Sequence, residues 1–479
     1  MMKRELLLFF LALSLHTSYQ AAAQQASINR FVQTEGMETS GVAVAIVDVK
    51  TGTTVASYNP DRLLTPASVL KVVTTATALE VLGSHFQIAT RLQYAGDIDI
   101  DGILHGDLYI QGGGDPTLGS EFVGLNRDDF LKTCLTALQK SGIKQVAGRI
   151  IADETCFDQA GISPKWLKED LGNSYAAGSY GISYADNTYR LFLAPGKAGA
   201  TPDILRTEPD IPYINFSNFL EIKNKDSAFI YGIPFHNERW LMGYIPERKT
   251  EYELKGDIPD PPFFLAASLR KMLIHSGIPV SGEATTFRRL TPTGDFQTDG
   301  RTTVCTCFSP PLTDIIRETN VKSNNLYADH LLKLIALTVN PQASFERGVD
   351  AVKKFWKSNN LDMTKVVMYD GSGLSPVNRL SPAFVTQLLA YMSEKSKYAT
   401  DFYTSLPLAG KEGTVRNFLK NTRLEEKIPL KSGSMTNVQC YAGYFDKDGK
   451  RYAFCIMAND YLIPRNKLQK AIEKMMLGW

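Results

Sequence analysis

A serine and a lysine separated by two residues offer the first chemistry in this sequence. Ser68 and Lys71 fall at the start of a predicted helix, where side chains at positions i and i+3 share a face. A serine hydroxyl is a weak nucleophile until a base removes its proton, and a lysine amine can do this when burial or a nearby cation lowers its pKa. The spacing alone is not specific, because Ser268 and Lys271 repeat it inside another predicted helix.

A second polar group lies between the first pair and a third motif near the C-terminus. Ser323 and Asn325 directly precede a predicted helix, 326–337. The Ser323 hydroxyl could relay a proton, and the Asn325 amide could hold a substrate by hydrogen bonds.

The third group is a cation, a hydroxyl and a glycine on a short predicted strand. Lys431 and Ser432 are suited to bind a carboxylate, and Gly433 allows another backbone to approach closely. The backbone N–H groups of Ser68 and Ser434 could then form an oxyanion hole, where one donor contributes about 3 kcal/mol. The three groups together predict nucleophilic acyl transfer.

The elements that must position these groups lie at both ends of the chain. Apolar periodicity, glycines and prolines predict the strands 42–49, 54–58, 430–435, 440–445 and 452–457 and the helices 69–82, 263–275, 312–318, 326–337 and 467–477. Between them, from about residue 91 to 292, short alternating strands and Gly-Asp turns predict a β-rich insertion. We therefore expect an α/β (α+β) domain made of 24–90 and 293–479, and an inserted region, 91–292, with two subdomains.

Residues 1–23 have the pattern of a secretory signal peptide. Positive charge within residues 1–4 precedes an apolar run and the small residues 21–23, which are typical of a cleavage site. An uncleaved anchor is the alternative, but the apolar run is about ten residues long and a spanning helix needs about 20. We expect a cleaved, secreted protein without a stable membrane span.

The composition excludes other classes of protein. Of the 479 residues, 44% are hydrophobic and 21% are charged, which is ordinary for a globular chain and not for a disordered one. The 52 Lys and Arg nearly balance the 50 Asp and Glu, so no strong nucleic-acid-binding surface is expected.

The three motifs and several other segments resemble the class C low-molecular-mass penicillin-binding proteins of the penicillin-binding protein 4 type. The resemblance covers nearly the whole chain after the signal, including the long insertion. The other segments that carry it are 113–118, 370–375, 406–410 and 442–444. It implies a serine β-lactamase/transpeptidase-like fold and periplasmic D-Ala-D-Ala carboxypeptidase or endopeptidase activity on peptidoglycan peptides. It also implies β-lactams as covalent inhibitors, and no metal or cofactor.

Carried over position by position, the resemblance assigns a role to each motif residue. It implies that Ser68 is the acylated nucleophile, Lys71 its base, Ser323 the proton relay, Asn325 a substrate ligand and Lys431 the electrostatic anchor.

The resemblance says less about which side chains of the peptide are recognised. Asp170 and Tyr175 resemble positions in the family's insertion that recognise the free end of a diaminopimelate side chain, although Asp170 is equally interpretable as a solvated surface acid. Ser432 replaces the usual threonine and keeps the hydroxyl. Pro376 replaces the arginine that the family commonly has after Gly-Leu-Ser, and Thr436 stands at another polar contact position, so the details of side-chain selectivity stay open.

The remaining chemically active residue types have ordinary interpretations. His330 is interpreted as structural, because a Ser-Lys mechanism needs no histidine. Cys305 and Cys307 are too close in sequence for a zinc site without a partner pair. Cys440 and Cys455 lie at mirrored positions about a predicted turn, which suggests a disulfide across a hairpin.

We expect a serine acyl-transfer enzyme, and two alternatives remain. A β-lactamase or esterase could use the same groups, but hydrolysis of a small substrate needs no large insertion. A non-catalytic peptidoglycan-binding protein would not need all the reactive side chains. The balance of carboxypeptidase, endopeptidase and transpeptidase activity stays open, because it depends on whether water or an amine reaches the acyl-enzyme.

Overall fold

The structure is a computed structural model that describes residues 22–38, 40–194, 196–248 and 250–479. Residues 1–21 of the predicted signal peptide, 1–23, therefore lie outside the described residues. Among the residues that are described, no helix is both long and apolar enough to cross a membrane.

The helices and strands are numbered here in chain order. The α-helices are 22–32 (α1), Leu70–Leu82 (α2), Asp129–Lys140 (α3), Pro261–His275 (α4), Phe287–Leu290 (α5), Leu312–Val321 (α6), Asn325–Leu337 (α7), Phe345–Ser358 (α8), Pro382–Glu394 (α9), Ala399–Ser405 (α10) and Arg465–Met476 (α11). The strands are Gly41–Asp48 (β1), Thr54–Tyr58 (β2), Ala89–Ile98 (β3), Ile103–Gln111 (β4), Gln145–Val146 (β5), Ile150–Asp153 (β6), Thr188–Leu193 (β7), Ile204–Glu208 (β8), Asn215–Asn218 (β9), Glu221–Ile222 (β10), Phe229–Gly232 (β11), Glu238–Met242 (β12), Tyr244–Ile245 (β13), Tyr252–Asp257 (β14), Ala284–Thr286 (β15), Thr302–Phe308 (β16), Val366–Val367 (β17), Arg379–Leu380 (β18), Leu430–Met435 (β19), Val438–Lys447 (β20) and Lys450–Asn459 (β21). Short 3-10 turns at Ala67–Val69, Ser174–Ala176 and Gly413–Val415 carry residues discussed below.

The chain divides into two compact units. Unit 1 comprises the residues up to Ser84, 316–324 and 351–479, and unit 2 comprises 85–315 and 325–350. Unit 2 is larger than the predicted insertion, 91–292, since it also takes in β16, α7 and the first part of α8. Helical periodicity shows that these segments fold, but it does not show which core they pack against.

Unit 1 is built on a five-stranded antiparallel sheet with the order β19-β20-β21-β1-β2. Strand β1 pairs with β21 along its whole length, from Gly41 opposite Asn459 to Asp48 opposite Tyr452. Every residue of β1 is buried, as expected for a strand with both faces covered. The prediction that the two ends of the chain form one α/β sheet is confirmed.

Helices cover this sheet. Alternate residues of β1 and β21 share a core with α1 and α11, while α9 packs against β1 and β21 and also contacts α2. Helix α2 is buried on all sides from Leu70 to Leu79, which is typical of a helix at the centre of a domain. The start of α2 is therefore held by packing around the whole helix.

Unit 2 contains the strands β3 to β16. Its largest sheet has the order β15-β6-β4-β3-β16, with β5 also paired to β4, and α3 and α4 pack against it. Smaller sheets join β14-β7-β8 and β11-β12-β9. The inserted region is β-rich as predicted, and its division into two subdomains stays a prediction.

The predicted disulfide between Cys440 and Cys455 is wrong. In the β20–β21 hairpin, Cys440 lies opposite Met457 and Cys455 lies opposite Ala442. The register is displaced by two residues from the mirrored arrangement, so the two thiols are diagonal neighbours. Both are unpaired and buried, and burial raises the pKa of Cys440 to about 12.

Candidate active site

Ser68 and Lys71 are hydrogen-bonded to each other at the entrance to α2. Ser68 lies in the 3-10 turn Ala67–Val69, just before the α-helix begins at Leu70. The Lys71 Nζ donates to the Ser68 Oγ at 2.9 Å and to the Ser372 carbonyl at 2.6 Å, and the lysine is fully buried. The amine is thus directed at the hydroxyl by a fixed second acceptor.

The turn that carries Ser68 is held on both sides. Ala67 has a left-handed φ of +45°, which non-glycine residues rarely adopt. Just before the turn, the Thr65 N–H donates to the Asn459 side chain at 2.8 Å, and the Asn459 amide donates back to the Thr65 carbonyl at 3.1 Å. This reciprocal pair attaches the turn to β21.

A buried aspartate orders the loop that supplies the second acceptor. The Asp370 carboxylate accepts hydrogen bonds from the Gly373 N–H at 2.9 Å, the Ser375 N–H at 2.7 Å and the Asn378 amide at 2.8 Å. The loop passes so close to the Ser68 turn that a Cβ on Gly373 would lie 2.0 Å from the carbonyl of Ala67. The resembling segment 370–375 therefore positions Lys71 through the Ser372 carbonyl.

Lys431 brings the second and third motifs together. Its Nζ donates to the Ser323 Oγ at 2.9 Å and to the Ser432 carbonyl at 2.7 Å. Burial, and then the positive charge of Lys71, lower the pKa of Lys431 well below its usual value. Ser323 itself has a left-handed φ of +58° between α6 and α7. The three motifs thus contribute side chains to one polar cluster in unit 1.

Gly433 lies where β19 touches the turn that carries Ser68. A Cβ at this position would be 2.5 Å from the Pro66 carbonyl oxygen, 2.7 Å from the Val69 nitrogen and 2.8 Å from the Ser68 nitrogen. All three are backbone atoms, so no side chain can rotate away to make room. The close approach predicted for this glycine is confirmed, whereas the oxyanion hole formed by Ser68 and Ser434 stays a prediction.

Thr414 is a neighbour that the sequence did not reveal. Its Oγ1 lies 2.7 Å from the Oγ of Ser432, which is partly exposed. The turn Gly413–Val415 that carries Thr414 is pressed against α6, because a Cβ on Gly413 would lie 2.2 Å from the Val321 carbonyl. A single threonine in an irregular segment carries no recognisable pattern, and only the nearby segment 406–410 indicated this region.

The other three predicted site residues form a group within unit 2. The Asn325 amide donates to the Tyr175 carbonyl at 2.8 Å, and the Tyr175 hydroxyl donates to the Asp170 carboxylate at 2.9 Å. Burial raises the pKa of both Asp170 and Tyr175, although the tyrosine side chain is still half exposed. Asp170 is therefore not a fully solvated surface acid. Along the chain, only Asn324 separates Asn325 from Ser323.

His330 adds no further reactive group to these clusters. His330 is fully buried in unit 2, where it contacts the Ser183 hydroxyl at 2.9 Å, and burial lowers its pKa to about 3. It is neutral near pH 7 and has the surroundings of a structural residue. Within the described ranges, no group of three or more His, Cys, Asp or Glu could hold a metal ion.

Comparison with known proteins gives consistent matches over nearly the whole chain. The family model described as the D-Ala-D-Ala carboxypeptidase 3 (S13) family matches residues 24–479. A D-alanyl-D-alanine carboxypeptidase of Actinomadura sp. (strain R39) is 26% identical over 457 residues, covering 91% of this chain and 81% of the relative.

Solved structures with the same fold include a penicillin-binding protein 4. The crystal structure of penicillin binding protein 4 (dacB) from Haemophilus influenzae has a TM-score of 0.79 and 24% identity, and the match covers 94% of this chain and 98% of that one. A crystal structure of the same protein in complex with a β-lactam has a TM-score of 0.73 and 22% identity, covering 92% and 96%.

Proposed function

Because the chain belongs to the D-Ala-D-Ala carboxypeptidase 3 (S13) family, we propose that it is a serine-type D-Ala-D-Ala carboxypeptidase with Ser68 as its nucleophile. The observation that carries the assignment is the 2.9 Å contact between the Nζ of the fully buried Lys71 and the Oγ of the partly exposed Ser68. The relatives named carboxypeptidases, and the fold shared with penicillin-binding protein 4, support the same reaction.

The first step is acylation of the serine. With Lys71 as a neutral amine, the same short contact lets it accept the Ser68 proton while the Oγ attacks the carbonyl carbon of the penultimate D-alanine. The fixed Ser372 carbonyl keeps the amine in place during the transfer. The N–H groups of Ser68 and Ser434 are the proposed donors to the oxyanion.

The second step is departure of the terminal D-alanine. Its amine must gain a proton as the C–N bond breaks, and Ser323 is the proposed relay. The Lys431 Nζ, which donates to the Ser323 Oγ, orients that hydroxyl. Water then attacks the acyl-enzyme, and the proton path runs in reverse to release Ser68.

Binding of the terminal carboxylate is divided among several side chains. The Lys431 Nζ is fully buried and already donates to two oxygens. We therefore assign its role as an anchor to its electrostatic field. The direct contact falls to the hydroxyl of Ser432, which is partly exposed and paired with Thr414.

The remaining assignments concern the rest of the peptide. We assign Asn325 to the peptide backbone, and Asp170 and Tyr175 to the free end of a diaminopimelate side chain, since hydrogen bonds link Asn325 to Tyr175 and Tyr175 to Asp170. The substrate would be a peptidoglycan stem peptide or its cross-link, and β-lactams would acylate the same serine. Residues 1–23 would direct the chain to the periplasm, and unit 1 would be the catalytic domain.

Covalent labelling tests the nucleophile and its base. We expect a fluorescent penicillin to label the wild-type protein, and we expect Ser68→Ala and Lys71→Met to abolish labelling while both variants remain folded. Ser268→Ala and Lys271→Met are matched controls, because they repeat the spacing within α4, and they should label normally. A folded Ser68→Ala protein that still becomes labelled would refute the assignment.

Product analysis separates this function from its alternatives. Incubation with a peptide ending in D-Ala-D-Ala should release free D-alanine, and mass spectrometry of digested sacculi should show shortened or uncrosslinked stems. Rapid turnover of penicillin without a stable adduct would instead indicate a β-lactamase. Binding to sacculi with no covalent labelling and no released product would indicate a non-catalytic binding protein.

A further inference from the structure

Lys333 is a buried cation that the reaction described above does not use. It lies on α7, about two turns after Asn325. Its Nζ donates to the Ala160 carbonyl at 2.8 Å, the Ser179 carbonyl at 2.9 Å and the Asp158 carboxylate at 3.4 Å. Since an ammonium has three N–H groups, each of them has an acceptor in this arrangement.

Two of these acceptors are the ends of one chain segment, residues 160–179, called here the arch. The Ser179 N–H also donates to the Gly161 carbonyl at 2.7 Å, directly beside the ammonium. The ends of the arch therefore meet at Lys333, and the segment between them is a loop that includes Asp170 and Tyr175. Lys333 closes this loop at its base.

Aromatic rings enclose the same ammonium. The Nζ lies 4.5 Å from the ring centre of Phe345 and 5.4 Å from that of Phe157, within the range of cation–π attraction. Trp166, within the arch, packs edge-on against Phe345 with ring centres 6.3 Å apart. Burial lowers the pKa of Lys333 to about 8, so this cation is kept inside unit 2 against a substantial desolvation cost.

The other end of α7 holds the far side of the arch. The Asn325 amide donates to the Tyr175 carbonyl at 2.8 Å, and the 3-10 turn that carries Tyr175 packs against α7. Helix α7 thus binds the two ends of the arch through Lys333 and the backbone at Tyr175 through Asn325. A displacement at the base must change the position of Asp170 and Tyr175 relative to α7.

We propose that Lys333 is a positioning residue that fixes the arch, and with it Asp170 and Tyr175, in the geometry required to recognise the side chain of the stem peptide. This rests on the proposed function of those two residues. Lys333 touches no substrate and acts through the two carbonyls that it joins. Its loss should therefore weaken recognition of the stem peptide without impairing the chemistry at Ser68.

The test compares two acyl donors on the intact protein. A stem pentapeptide with diaminopimelate at its third position uses the arch, whereas benzylpenicillin reports on Ser68 alone. Lys333→Met should lower kcat/KM for the pentapeptide by about tenfold, chiefly through KM, and leave the rate of penicillin acylation within about twofold. Lys333→Arg, which keeps several donors in reach of both carbonyls, should restore most of the loss.

Arg301 offers a matched control within unit 2. It is also a buried cation with one carboxylate partner, Asp153 at 2.6 Å, and two aromatic neighbours, Tyr109 at 4.0 Å and Phe287 at 5.1 Å. Arg301→Met should leave the ratio of the two substrate activities unchanged. Hydrogen exchange should rise within residues 160–179 in Lys333→Met and should not rise there in Arg301→Met.

The outcomes separate this proposal from the proposed function. Equal losses on both donors, or no change on either, would overturn the role of Lys333. If Lys333→Met does not fold, Asp158→Asn removes the negative charge of a partly exposed partner of the same ammonium and should shift the substrate ratio in the same direction, by less. An unchanged ratio would overturn the proposal. A wild-type protein that neither labels nor releases D-alanine refutes the proposed function, and hydrogen exchange still decides whether Lys333 fixes the arch.

Discussion

Replacing Gly433 with alanine tests how closely the nucleophile depends on the neighbouring strand. The added Cβ would lie 2.5 to 2.8 Å from three backbone atoms of the turn that carries Ser68. Ordinary contacts of a Cβ begin at about 3.4 Å, so strand and turn must separate by roughly 0.6 to 0.9 Å. The displacement falls on the Ser68 N–H, a proposed oxyanion donor.

The added methyl group should lower both the reaction rate and the stability, by similar free energies. A misplacement approaching 1 Å at a reacting group can slow a reaction by about 100-fold, whereas overpacking of this kind costs about 1 to 3 kcal/mol of unfolding free energy. We therefore expect the rate of penicillin acylation to fall about 100-fold in Gly433→Ala. Stopped-flow acylation, together with urea unfolding, measures both quantities on one preparation.

The control is a glycine whose replacement strains the backbone without crowding the turn. Gly449 lies in the β20–β21 hairpin with φ +73°, and a Cβ there would meet no atom within 4 Å. Gly449→Ala should lower stability by about 1 kcal/mol and leave acylation unchanged. If Gly433→Ala acylates within threefold of wild type, the proposed dependence of Ser68 on β19 is refuted.

Two further predictions concern Ser432 and His330. Ser432→Ala should slow acylation by a D-Ala-D-Ala peptide about tenfold, the equivalent of one lost hydrogen bond. Ser432→Thr should acylate at nearly the wild-type rate, because the hydroxyl beside Thr414 is kept. Equal losses in both variants would show that the hydroxyl is not the contact. His330 has a pKa of about 3 when folded and about 6.5 when unfolded, so the unfolded chain gains the proton first as pH falls. The free energy of unfolding of the wild-type protein should therefore fall by about 2 kcal/mol between pH 7 and 5. In His330→Gln, urea unfolding should show a fall that is smaller by this amount. An equal pH dependence in the two proteins would contradict the burial argument.

Local sequence signals predicted the elements that carry the three motifs. Strand Leu430–Met435 was predicted to the residue, because Pro429 and a turn limit it on both sides. Helix α2 was delimited by Pro66 and Gly83. In each case the physical cause lies within a few residues of the element, and a single sequence contains that information.

The contacts that complete the site depend on parts of the chain that are far apart. Neither Thr414 beside Ser432 nor the Ser372 carbonyl on Lys71 follows from any local pattern. The predicted register of the β20–β21 hairpin differs by two residues from the observed one. The turn fixes the register, and the periodicity of the strands does not. Where side chains from distant segments meet, only the packed structure contains the answer.

The pairing of β1 with β21 also bears on when the protein becomes active during its synthesis. The Thr65 N–H that secures the turn of Ser68 bonds to Asn459, 394 residues later in the chain. Strands β3 to β16 come earlier and can pair among themselves, but the sheet of unit 1 lacks its central strand until β21 has been made. A chain that is interrupted before that point lacks the residue that holds the turn of Ser68, so this turn is among the last parts of the fold to be secured.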